Sequence, residues 1–199
     1  GATMDLEYGF SCMGYEIAGA WGARMARRDG EVICFVGDGS YLLMNSELLS
    51  SVVSGHKLIV VLCDNGGFAV IERLQLEQGG ASFNNMLPPG TAVDWAAHAR
   101  ALGCNAEAAT TIGELEDAFA RARAADRTTV IAIPTAPDVW TEGGAFWEVG
   151  VPEVSDRPEV AAARERLLEG KRAQRVGWFK KGLEAGDLKA CDTFSTAAL

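Results

Sequence analysis

The 199-residue sequence has only two histidines, five scattered cysteines and no Cys-x-x-Cys pair. That spacing excludes the usual structural zinc sites. No apolar run reaches the roughly 18 residues that a membrane span needs, and no stretch reads as a signal peptide. Basic residues are outnumbered 18 to 27, for a net charge of −9, which argues against a general nucleic-acid or anionic-membrane surface. The phosphate-binding pattern GxxxxGK[ST] is missing, and GxGxxG fails because Leu42 stands where its last glycine belongs. An EF-hand loop fails at Tyr41, Leu42 and Leu43. Cys34 and Cys63 lie inside apolar runs, as small hydrophobes do. Reduced thiols and a cytoplasmic protein are therefore the expectation.

What is present is a rhythm of buried strands and helices. The runs "EVICFVG", "KLIVVLC" and "TTVIAIPT" are continuous apolar segments of strand length. Because the first two do not alternate, both are expected to be buried on both faces, as in a parallel sheet covered by helices. Helices are read over "MGYEIAGAWGARMARR", "SYLLMNSELLSSVVSG", "VDWAAHARALG" and "IGELEDAFARARAA", with a short strand at "CNAEAAT". Residues 66–92 read as a long loop, either functional or disordered. The order predicts an α/β fold: a doubly wound, mostly parallel sheet with helices on both faces, plus a C-terminal helical tail. A domain over residues 1–137 would be followed by an aromatic connector and tail over 138–199. A helix is expected from Arg157 to Val176, and the last twenty residues should be loosely ordered. From Lys171 onward six basic residues face three acidic ones, which reads as a solvated or subunit-contacting helix.

Two polar turns follow the first two strands: Gly37-Asp38-Gly39 and Asp64-Asn65-Gly66-Gly67. In a doubly wound sheet ligands sit beyond the carboxyl ends of the strands. Gly37 and Gly39 let the backbone approach a bulky anion, and a helix starting near Ser40 offers free N–H groups to phosphate. With no P-loop lysine, a hard divalent cation would offset a diphosphate. Asp38, Asn65 and a carbonyl near Gly67 form the partial oxygen set that magnesium takes. The plainer reading is that both are ordinary strand-to-helix turns.

The pair of turns, 27 positions apart from Asp38 to Asn65, resembles the diphosphate and magnesium motif of the thiamine-diphosphate-dependent enzymes. The resemblance implies that Asp38, Asn65 and the main-chain oxygen of Gly67 hold Mg²⁺, and that Gly39 and Ser40 touch the diphosphate. One departure is Asp64, where the family usually has a first asparagine. Upstream, "YGFSCMGYEIAGAWGA" is similar to the family segment ending in Met-Gly before an alanine-rich helix. Carried over, Met13 wedges between the two cofactor rings and the Ser11 carbonyl meets the aminopyrimidine; Met13 as core filler is the alternative. The resemblance covers residues 5 to about 135 and makes them the pyrophosphate-binding domain. It implies that the pyrimidine-binding domain, with its activating glutamate, lies outside this chain, upstream or on a sister subunit, leaving no catalytic residue here.

Within that family, "LEYGFSCMGYEIAGA", "GDGSYLLMNSEL" and the tail "FWEVGVPEVS" resemble the trihydroxycyclohexane-1,2-dione hydrolases of myo-inositol catabolism. This implies hydrolytic cleavage of a polyol-derived cyclic diketone in a homodimer or tetramer, with Trp140, Phe146 and Trp147 near an interface. An acetolactate-synthase-like carboligase or a 2-oxo acid decarboxylase stands as one alternative, and a non-catalytic magnesium-diphosphate-binding subunit as another. His56 and His98 read as structural, Glu47 as a solvated helix residue, and Tyr41 and Phe68 as residues that could line a cofactor mouth.

Overall fold

The computed structural model describes residues 3–6, 10–27, 29–139 and 151–186. Four strands, β1 (Ile33–Gly37), β2 (Ile59–Asp64), β3 (Asn105–Ala108) and β4 (Thr129–Pro134), form an all-parallel sheet in the order β1-β2-β4-β3. The chain divides into two compact units, one holding residues 1–69 and 84–137, the other residues 70–83 and 138–199.

In the first unit the sheet is wound on both faces, because β2 is apolar at every core position and successive side chains point to opposite sides. On one face Val60 and Leu62 of β2 join Cys34, Val36, Val130 and Ala132. Ile17 of α1 (Tyr15–Ala26), Tyr41 of α2 (Asp38–Met44), Leu48 of α3 (Ser46–Val53) and Trp95 of α5 (Trp95–Ala101) cover them. On the other face Ile59 and Ile131 pack beneath Ala118 and Ala122 of α6 (Ile112–Ala124). Thr111 caps α6 by accepting the Glu114 N–H at 3.2 Å, and Asp94 caps α5 by accepting from Ala97 at 2.8 Å.

Four expectations need correction. The first strand is not buried on both faces: Ile33 and Phe35 are 41% and 67% exposed. It lies at the sheet edge, and α6 covers β2 and β4 rather than β1. The helix after Asp38 starts two residues before Ser40 and is two helices, broken at Asn45, whose side-chain amide donates to the Leu42 carbonyl at 2.9 Å. Residues 66–92 are not all loop, since Ala69–Glu77 forms α4. The C-terminal helix, α7, runs over Pro158–Ala185 and so continues nine residues past Val176. Pro158 fits its first turn, where no N–H is needed, and Gly186 closes it in the left-handed region.

In the second unit Val151 packs with Val160 and Ala163 of α7, and Arg164 donates to the Val151 carbonyl at 3.0 Å. The connector aromatics Trp140, Phe146 and Trp147 lie outside the described residues. Among the described residues no helix is long and apolar enough to cross a membrane.

Candidate functional site

The register of the sheet brings the two polar turns side by side. Gly37, the last residue of β1, pairs with Cys63, one residue before the end of β2. Asp38 and Asn65 therefore leave the same carboxyl edge as neighbours, although 27 positions separate them in sequence. Asp38 opens α2 and is 1% exposed, and its Oδ1 accepts the Asn65 N–H at 3.2 Å.

One end of the Asn65 amide faces Asp38 Oδ1 at 3.0 Å and the Gly67 carbonyl oxygen at 2.9 Å. With the amide nitrogen there, it donates to both. A half-turn about the terminal torsion places the amide oxygen there instead, so that three oxygens converge with no proton between them. Such a cluster is stable only around a cation. Octahedral magnesium, with Mg–O of about 2.0–2.1 Å, sets neighbouring oxygens about 2.8–3.0 Å apart. The two edges that meet at the Asn65 amide, 2.9 and 3.0 Å, match that spacing, and the donor set suits a small hard cation. Among the described residues no group of three or more His, Cys, Asp or Glu is arranged to hold a metal ion.

Electrostatics point the same way. Burial pushes the Asp38 carboxyl above its ordinary range; the Asn65 N–H pulls it back, and the Asp64 charge pushes it up again. A buried carboxylate beside a second acidic residue is destabilised unless a positive charge joins it. The Asp64 side chain is itself occupied: its Oδ1 accepts the Gly66 N–H at 3.2 Å.

A strap that sequence reasoning missed holds the second turn. The Phe68 N–H donates to the Asn85 carbonyl at 2.7 Å, and Leu87 donates to that of Gly66 at 2.8 Å. Gly67, at φ +139°, lies so close to this strap that a Cβ would stand 2.6 Å from the Asn85 oxygen. Only glycine fits. Phe68 in turn packs on Gly39, where a Cβ would meet its ring at 2.6 Å. Nothing in the residue types of 85–87 signals this pairing.

The upstream segment reaches the same end of α2. Ser11 is a non-glycine residue in the left-handed region, at φ +52°, a conformation that concentrates at functional sites. Met13 is 43% exposed. The Ser40 hydroxyl accepts the Gly14 N–H at 2.8 Å and lies 2.9 Å from both Glu16 carboxylate oxygens. Gly37 caps α2 with no side-chain hydrogen bond, while Asp38, Gly39 and Ser40 are all buried.

Other singled-out residues fall elsewhere. Tyr41 is not at a cofactor mouth: it is fully buried, its ring edge-on to Trp95, and its hydroxyl is paired with His98 Nδ1 at 2.9 Å. His56 Nδ1 pairs with Ser54 Oγ at 2.8 Å. Glu47 is half-buried in the first turn of α3. Cys34, Cys63 and Cys104 are free thiols and Cys12 is exposed; burial pushes Cys34 up to about 12 and Cys104 up to about 11, which makes both inert at neutral pH.

Comparison with known proteins gives three findings. Residues 1–133 match the family described as "Thiamine pyrophosphate enzyme, C-terminal TPP binding domain". Proteins named 3D-(3,5/4)-trihydroxycyclohexane-1,2-dione hydrolase are similar over more of the chain. Those of Geobacillus thermodenitrificans and Bacillus subtilis are 40% and 39% identical over 84% of it, and that of Listeria innocua is 41% identical over 82%. The chain spans only 26–28% of the length of these relatives. Among solved structures, a thiamine diphosphate-dependent 4-hydroxybenzoylformate decarboxylase of Rhodococcus jostii RHA1 superposes with a TM-score of 0.57 at 26% identity, over 62% of this chain and 23% of that one. A benzoylformate decarboxylase from Polynucleobacter necessarius shares the fold, with a TM-score of 0.59 at 21% identity over 64% of this chain and 24% of that one.

Proposed function

The chain belongs to the thiamine pyrophosphate enzymes as a C-terminal TPP-binding domain, and from that membership we propose that it holds Mg²⁺–thiamine diphosphate for the hydrolytic ring opening of a cyclic 1,2-diketone, trihydroxycyclohexane-1,2-dione, to a 5-deoxy-glucuronate. The observation that carries the binding half is that Asp38 Oδ1 and the Gly67 carbonyl oxygen both lie within 3.0 Å of the Asn65 amide. Asp38 supplies the anionic oxygen, and Asn65 and Gly67 supply neutral ones. The backbone from Gly37 to Ser40 would hold the diphosphate. When bound, thiamine diphosphate supplies the nucleophilic carbon and the electron sink that cleavage beside a carbonyl requires. Met13, on the turn ahead of α1, would support the cofactor rings, and the Ser11 carbonyl would accept from the aminopyrimidine.

The substrate half rests on the relatives. Their similarity covers 84% of this chain, more than the 133 residues of the family match, so it extends into the tail. The activating glutamate comes from a pyrimidine-binding domain outside this chain, on the same or another subunit of a cytoplasmic homodimer or tetramer. The likeness to 2-oxo acid decarboxylases favours a second reading, decarboxylation or carboligation of a 2-oxo acid with the same cofactor.

The test is a turnover assay of the protein that carries this chain together with its pyrimidine-binding domain. The cyclic diketone, pyruvate and 2-oxobutyrate are offered in parallel with Mg²⁺ and thiamine diphosphate. Preferred ring opening of the diketone is expected. Preferred turnover of either 2-oxo acid would replace this reading with the second one. Cofactor binding with no turnover of any substrate would reduce the protein to a binding subunit.

A further inference from the structure

Glu16, in the first turn of α1, has no role in the mechanism above, and no ion pair involves it among the described residues. Its carboxylate closes a small ring of hydrogen bonds instead. The Gly14 N–H donates to Glu16 Oε2 at 2.9 Å and to Ser40 Oγ at 2.8 Å. Ser40 Oγ stands 2.9 Å from each Glu16 oxygen. A hydroxyl has one proton and an ionised carboxylate can only accept, so the Ser40 proton belongs to Glu16. Bonds to a charged acceptor are the strong ones. Gly14 sits at φ +95° against α2, where a Cβ would stand 2.3 Å from Met44 Cγ. The turn carrying Met13 is thus pinned by packing on one side and by this ring on the other.

We propose that Glu16 is a positioning residue of the cofactor site: through the Gly14 N–H and the Ser40 hydroxyl it fixes the Met13–Gly14 turn, and it keeps the Ser40 hydroxyl from donating to the diphosphate. What Met13 meets rests on the thiamine diphosphate reading; the ring itself does not. Glu16 and Ser40 then act as one unit, so their losses do not add.

The test is a double-mutant cycle in the enzyme that carries this chain, with Glu16→Ala, Ser40→Ala, the double variant and Glu16→Gln. The readouts are calorimetric affinity for Mg²⁺–thiamine diphosphate and amide hydrogen exchange at Gly14. Each alanine variant is expected to speed Gly14 exchange and weaken affinity about tenfold, the scale of lost supporting contacts around a metal site. The double variant should fall within about twofold of either single one. Glu16→Gln keeps an acceptor and should lie nearer the wild type in both readouts, and it serves if the alanine variant does not fold. A double variant weakened about 100-fold would mean that Ser40 touches the diphosphate independently, and the proposal would fail. Unchanged Gly14 exchange in Glu16→Ala would also overturn it. A wild type that binds no thiamine diphosphate would count against the proposed function alone, because the exchange readout still decides whether the ring holds the turn.

Discussion

Two places in the sheet unit bury polar side chains to the same depth, yet they are built to opposite ends. At the amino ends of β2 and β4, Ser51 and Thr128 are each 1% exposed, as Asp38 is at the carboxyl end of β1. Ser51 donates to the Leu48 carbonyl at 2.7 Å and shares a 2.9 Å hydrogen bond with Thr128, whose Oγ1 also accepts the Leu58 N–H at 3.1 Å. That pair is neutral and satisfied within the chain. Asp38 carries an ionisable carboxyl that burial pushes above its ordinary range; it accepts from Asn65 and has Asp64 as its electrostatic neighbour. A closed polar pair stabilises the fold, whereas an open one holds acceptors ready for a charge from outside. The amino edge closes on itself, and the carboxyl edge is where the proposed binding site lies.

The sharpest break in that comparison is Asp38→Asn. It keeps an acceptor for the Asn65 N–H but removes the anionic oxygen. Loss of outer-shell partners alone weakens metal sites by 10–100-fold, so a ligand substitution should weaken Mg²⁺-dependent thiamine diphosphate binding by more than about 100-fold in calorimetry. Unchanged affinity would remove Asp38 from the site. At the other edge, Thr128→Val leaves the buried Leu58 N–H without its acceptor. It should destabilise the fold by about 1–3 kcal/mol in denaturant titration while leaving cofactor affinity within about twofold. A large loss of affinity there would mean that the two edges are coupled.

Met13→Ala tests the segment that overhangs the carboxyl edge. Because Met13 is substantially exposed rather than core, the melting temperature should change little, while turnover of the intact enzyme drops about tenfold, or about 1.4 kcal/mol of barrier. Gross unfolding would return Met13 to the core. The smallest effect is a pH dependence. The folded-state value for Asp38 is raised, so the protonated form is favoured on folding. The stability contributed by this group is therefore present below its ordinary value of 3.8 and is lost as pH rises through the raised value. In cation-free protein the melting-temperature gap between Asp38→Asn and wild type should widen across that window and close toward acid. A gap that is flat with pH would mean that Asp38 is not penalised by burial.

Much of this architecture can be read from residue patterns, and the exceptions have physical causes. β2 and β4 announce themselves as continuous apolar runs because helices cover both of their faces. β1 looks alike in sequence but sits at the edge, and edge position depends on strand order, which local pattern does not encode. Helix α4 hides between Gly66-Gly67 and Gly79-Gly80, which punctuate it as a loop. α7 runs past Val176 through Gly177 and Gly182, residues that would ordinarily weaken a helix. At the site, the spacing from Asp38 to Asn65 is legible because two strands of matched register convert it into adjacency. The engagement of Ser40 by Glu16 is not legible, since nothing along the chain links residue 16 to residue 40 before α1 folds onto α2. The direction of Tyr41 is hidden for a related reason: its neighbour Ser40 turns toward the site segment, while Tyr41 turns into the core.

The most direct test of an open, cation-requiring carboxyl edge is a four-way thermal melt of wild type and Asp38→Asn, each without divalent cation and with saturating Mg²⁺ and thiamine diphosphate. Without cation, Asp38→Asn should melt higher, by about 2–4 °C for each kcal/mol recovered from the buried charge. With both ligands the order should invert, because only the wild type gains the binding free energy. A wild type that melts above Asp38→Asn in the absence of cation, or an order that does not change when the ligands are added, would contradict the account.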